Sequence, residues 1–131
     1  MYVDDRFYQP LLRGTALQLG AVHQGVVGYL PTGQQVILNK SKSFGRPVAS
    51  PPEEFNGLTV KVTRNPQSLQ DGARIEQNAW NLLQDGSPWT LFDNCQDFVS
   101  RSYDGRNGSE TRNLIVATGL LAALVAVVFA N

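Results

Sequence analysis

The chain contains one cysteine, one histidine and one methionine in 131 residues. A lone cysteine, Cys95, excludes an internal disulfide and a cysteine-rich zinc site. It fits a reducing compartment, where a thiol persists as a thiol. Neither sign of charge dominates, with eleven basic and eleven acidic residues. The charges are scattered and form no basic stripe, so no nucleic-acid partner is expected. Met1 to Arg6 lack the basic start and apolar stretch of a secretory signal, which places the globular part in the cytoplasm. No internal repeat is present, and the length fits one domain with a tail. No motif calls for a cofactor or a metal.

One long uncharged run does occur. Leu114 to Ala130 carries no charge and only Asn131 follows. As a helix it would extend roughly 25 Å, the short end of what crosses a bilayer core. Arg106 and Arg112 flank its N-terminal side, as a positive-inside orientation requires. The alternative is a terminal helix buried in the fold or in a partner, but such a helix normally keeps a polar face. The expected organisation is therefore a domain over 1–105, a polar spacer over 106–113 and a membrane-anchoring helix over 114–130.

Within the domain, Val22 to Leu30 is rich in Val and Gly and ends at the turn signal Pro31-Thr32-Gly33. Gln35 to Asn39, Leu58 to Arg64 and the shorter Ala16 to Leu19 also read as strands, the second by its period-two alternation. The polar, proline-rich stretch between Lys40 and Gly57 reads as a long loop. After Pro66 the pattern turns helical. Ser68 caps, Asp71 follows three residues later, and Ile75, Ala79, Leu82 and Leu83 share a face. Gly86-Ser87-Pro88 ends that helix. The expected fold class is α+β, with an antiparallel sheet packed on helices.

Cys95 sits in Leu91-Phe92-Asp93-Asn94-Cys95-Gln96-Asp97-Phe98-Val99. Asp93 as N-cap and Gln96 as capping-box partner would put the thiol in a first helical turn. Free N–H groups and the positive end of the helix dipole there favour a thiolate and lower its pKa. His23 is the sole imidazole and hence the candidate base. If a hairpin closes at Pro31 to Gly33, His23 lies roughly opposite Asn39 on one face, where Asn39 would hold the ring's tautomer. A one-residue slip would turn Asn39 away. Catalytic Cys95, His23 and Asn39 on a strand-beside-helix frame match the logic of thiol enzymes.

The stretch from His23 onward resembles the lecithin:retinol acyltransferase family, circularly permuted relatives of NlpC-type papain-like enzymes, and its small phospholipase A/acyltransferase branch in particular. His23-Gln24-Gly25-Val26-Val27-Gly28-Tyr29-Leu30 is similar to that family's His-box, and Asn94-Cys95-Gln96-Asp97-Phe98-Val99 to its Asn-Cys box. Ala73 to Leu83 followed by Trp89-Thr90-Leu91 resembles the segment preceding that box. The resemblance extends over residues 16 to 130, apolar tail included. It departs at two points. Asn39 stands where the family usually carries a second His, and Gln96-Asp97 stand where it carries Glu-His. The resemblance implies a membrane phospholipid as acyl donor and an acyl-thioester intermediate. Two other readings stay open: an NlpC-type amidase or peptidase, and a non-catalytic membrane or protein-binding module like the short picornavirus non-structural proteins with these boxes. Lys40, Lys42 and Arg46 are candidate contacts for anionic headgroups, while Trp80 and Trp89 read as packing.

Overall fold

The computed structural model describes residues 11–90 and 94–105. Five strands form one antiparallel sheet: β1 (Ala16–Leu19), β2 (His23–Tyr29), β3 (Gln35–Ser41), β4 (Arg46–Ser50) and β5 (Val60–Arg64), in the order β4-β3-β2-β1-β5. Two helices follow, α1 (Leu69–Asp85) and α2 (Cys95–Asp104). The α+β class and the antiparallel sheet packed on helices are as expected. The spacer over 106–113 and the apolar run over 114–130 lie outside the described residues. Among the described residues no helix is long and apolar enough to cross a membrane.

Strand alternation sorts the apolar side chains onto two faces. Ala16, Val26, Val36 and Leu38 pack with Ile75 and Ala79 of α1 and Phe98, Val99 and Tyr103 of α2. Leu17, Leu19, Val27 and Ile37 form a second cluster on the other face, closed by Phe55 and Val60. Phe55 comes from a short 3-10 turn, Pro52–Phe55, on the connection between β4 and β5. Both faces are thus covered, although only one carries helices.

The expected loop from Lys40 to Gly57 is a structured segment. It holds the end of β3, all of β4 and the 3-10 turn. Pro47 removes one N–H donor, which an interior strand would miss; β4 is the edge of the sheet, where proline is tolerated. Lys40 pairs with Pro47 in the register and is 2 % exposed. It borders a small cavity with Pro47, Phe98 and Arg101, so it is not a surface contact for headgroups. Lys42 and Arg46 are exposed.

Helix α1 begins as its sequence prescribes, Ser68 Oγ accepting from the Asp71 N–H at 3.0 Å, and ends on Gly86 in the left-handed region. Helix α2 starts one residue away from the expected frame. Asn94 is the N-cap, its side chain accepting from Gln96 N–H and Asp97 N–H, while Asp97 accepts from Asn94 N–H at 3.2 Å. The box is therefore Asn94 with Asp97, not Asp93 with Gln96. Asp93 itself lies outside the described residues. The framing that wins keeps Asp97 bonded at 0 % exposure, where an unbonded carboxylate would be costly.

Candidate active site

His23 and Asn39 meet near the start of β2, and Cys95 contacts the main chain there from the opposite face of the sheet. His23 and Asn39 project from the face of the sheet opposite the helices, and Nε2 of His23 lies 2.8 Å from Asn39 Oδ1. The two are not direct partners across the sheet. The register pairing Val26 with Leu38 sets Gly25 beside Asn39 and leaves His23 on the diagonal. Gly25 makes that diagonal contact possible. A Cβ built there would fall 2.6 Å from Ile37 Cγ2 and 3.2 Å from Asn39 Cβ. A side chain at this position would occupy the space across which the imidazole and the amide meet.

The tautomer of His23 follows from the other half of the Asn39 side chain. Nδ2 donates to the Ile37 carbonyl at 2.9 Å and to Ser50 Oγ at 3.2 Å, with the Val48 carbonyl at 3.5 Å. Those acceptors fix the amide group, so Oδ1 must face the ring. An oxygen there requires a proton on Nε2, which leaves the lone pair on Nδ1. Phe55 lies along the ring, with centroids 6.1 Å apart and planes inclined by 26°. Burial pushes the His23 pKa below 6.5, with the Asn39 hydrogen bond opposing it, so the imidazole is neutral at pH 7.

Cys95 is the first residue of α2 and approaches from the helix side. Its Sγ donates to the Val22 carbonyl at 3.7 Å, the peptide directly before His23. The Gln24 N–H, directly after His23, favours the thiolate, as do the N–H groups of Cys95 and Gln96. The sulfur thus contacts the main chain on both sides of the candidate base, while its hydrogen bond goes to a carbonyl and not to the ring.

The expected lowering of the thiol pKa is overturned. Cys95 is only 8 % exposed, and burial pushes its thiol above the ordinary value of 9.0. The surrounding N–H groups pull the other way but do not win, and the buried Asp97 carboxylate adds to the rise. A helix start supplies dipoles, but loss of water from the sulfur is the larger effect. Thiol and imidazole are therefore both neutral at rest.

A cleft of about 440 Å³ lies elsewhere, lined by Leu11, Leu12, Tyr29 and Leu69 among others. Tyr29 ends β2 where His23 begins it, so this cleft opens at the far end of the sheet from the thiol. Ser50 and Phe55 are the site residues that sequence reasoning missed. Both lie in the stretch read as a loop: β4 pairing with β3 brings Ser50 to the Asn39 amide, and the 3-10 turn brings Phe55 to the ring. Compared with protein-family models, with curated proteins and with solved structures, the chain matches none.

Proposed function

We propose that the domain is a papain-like thiol acyl-transfer enzyme in which His23 is the general base, Cys95 the nucleophile and Asn39 the residue that orients the base. The observation that carries this reading is the 2.8 Å contact of His23 Nε2 with an amide oxygen, which leaves Nδ1 free to take a proton. A neutral starting pair suits general-base catalysis. The imidazole withdraws the thiol proton as sulfur bonds to an acyl carbon, so no thiolate need persist beforehand. The leaving alcohol or amine departs with a proton returned by the imidazolium, giving an acyl-thioester on Cys95. Water or a second acceptor then releases the acyl group. The Asn94 cap engages the Gln96 and Asp97 N–H groups, so the Cys95 N–H is the candidate donor to the oxyanion.

For substrate, the apolar run over 114–130 and the resemblance of the two boxes favour a phospholipid acyl ester, presented at a membrane to which the chain is tethered. An amide of the NlpC kind would use the same three residues. The test is intact-mass spectrometry of the full chain incubated with phosphatidylcholine vesicles or with a muropeptide. The proposal predicts an acyl adduct on wild type with lipid, none with Cys95→Ala, and formation slowed roughly 10²–10⁴-fold in His23→Ala. An adduct or turnover with the muropeptide alone would make it an amidase.

A second reading is favoured by one observation, the 8 % exposure of a thiol whose pKa is raised. In that reading the two boxes persist as scaffold in a non-catalytic binding module. A folded wild type that forms no adduct with either substrate is the outcome it expects.

A further inference from the structure

Large apolar side chains exposed among the described residues are Leu12, Val22, Phe44 and Leu69. Leu12 and Leu69 border the cleft at the far end of the sheet. Val22, 69 % exposed, immediately precedes His23. Phe44, 58 % exposed, lies in the turn from β3 to β4, where Ser41 pairs with Arg46. Extending the β2–β3 register brings Ser41 beside His23, so Val22 and this turn share the end of the sheet that carries the candidate site.

The turn is braced, not loose. The Trp89 N–H donates to the Gly45 carbonyl at 2.8 Å. Lys42 Nζ lies 5.2 Å from the centre of the Trp89 ring, and the Phe44 N–H donates to Ser41 Oγ at 3.2 Å. Lys42, Ser43, Phe44 and Arg46 are exposed, and no acidic residue occurs between Ser41 and Ser50. Asp85 lies across the Lys40 cavity and accepts from Ser87 Oγ, and the exposed Glu53 and Glu54 belong to the 3-10 turn whose Phe55 lies along the His23 ring.

We propose that this rim, Val22 together with the turn from Lys42 to Arg46, docks on an anionic lipid surface, with Phe44 entering the headgroup layer and Lys42 and Arg46 meeting lipid phosphates. Charge complementarity selects that occupant: an aromatic at the apex of a turn, with a cation on each side, matches the interfacial region of a bilayer. A stable protein partner needs roughly 800 Å² on each side, far more than one aromatic tip and a valine offer. The inference rests on the lipid reading above for its choice of surface. Its test reads contact and not turnover, so either can fail alone.

The experiment uses the full chain with Cys95→Ser and Ser43→Cys, labelled at position 43 with an environment-sensitive fluorophore. A control carries the label through Gln70→Cys, at the exposed start of α1. Vesicles of phosphatidylcholine with phosphatidylserine should shift the emission at position 43 to the blue and leave position 70 unchanged. Neutral vesicles should do this weakly and inorganic phosphate not at all. Lys42→Gln and Arg46→Gln should each lower the response to anionic vesicles roughly fivefold. Phe44→Ser should reduce the blue shift at equal vesicle binding. The proposal is overturned if the chain floats with vesicles while position 43 keeps its aqueous emission. It is equally overturned if positions 43 and 70 respond alike, if phosphate alone gives the shift, or if anionic vesicles produce no response.

Discussion

Asn39 is the residue on which the candidate site turns, because its buried amide decides what the imidazole can do. Three acceptors hold its nitrogen and one ring nitrogen meets its oxygen, so His23 has a single tautomer and a single free lone pair. The titration of His23 then leaves a signature in stability. Burial holds its folded pKa below 6.5, so the unfolded chain takes up a proton that the folded chain refuses. Stability is unaffected well above 6.5, falls as pH drops through 6.5, and levels off below the folded value. Cys95 acts at the other end: above 9.0 the unfolded thiol ionises first, so stability falls as pH rises through that value. Melting temperature measured against pH should show both arms, with His23→Gln flattening the acid arm and Cys95→Ser the alkaline one. Unchanged arms in these variants would show that neither group is desolvated as described. All three residues were legible in the sequence through rarity, capping context and strand position. The proton affinities of His23 and Cys95 were not, because they depend on burial in the folded chain, which no local pattern encodes.

At the scale of elements, the helices were the most legible part and β4 the least. Ser68 with Asp71 and Gly86 mark the ends of α1 in the sequence, and the structure uses all three. In α2 the sequence reading took Asp93 with Gln96, whereas the structure uses the adjacent frame, Asn94 with the buried Asp97. Strand β4 was hidden by Pro47, which reads as a breaker until the strand is known to be an edge. Register was read to within a diagonal, since nothing in the sequence announced that Gly25, and not His23, stands across from Asn39. A sharper test concerns Gly72, inside α1. Replacing an interior helical glycine by alanine ordinarily stabilises by about 1 kcal/mol. Here the added Cβ would lie 2.3 Å from the Arg13 carbonyl oxygen, so the backbone of the segment before β1 must move. Gly72→Ala is expected to destabilise by about 1–3 kcal/mol, read as a lower urea midpoint. A raised midpoint would mean that this close approach is not made.

Across the whole molecule, one buried carboxylate joins parts distant in the chain. Glu76 accepts from Arg13 Nη1 at 2.7 Å, from the Tyr29 N–H at 2.9 Å and from Trp80 Nε1 at 2.9 Å. It ties the entering segment, the end of β2 and α1 together, and no periodicity in the sequence foretells that. Tyr103 does similar work for α2, donating to the Gly14 and Arg64 carbonyls, with burial pushing its pKa up to about 12. Glu76→Ala strands two N–H donors and should cost several kcal/mol. The lower end of about 3–5 is expected because Arg13 is half exposed and regains water. Glu76→Gln, which keeps an acceptor for Trp80 and Tyr29, should cost clearly less; equal losses would contradict the hydrogen-bonded role. The central claim, that His23 is a neutral base with its proton on Nε2, is open to direct measurement because the chain has one histidine. Long-range nitrogen–proton correlation spectra of the imidazole, recorded through a pH titration, report tautomer and pKa together. The account predicts an Nε2–H ring titrating below 6.5; an Nδ1–H ring, or a midpoint above 6.5, would contradict it.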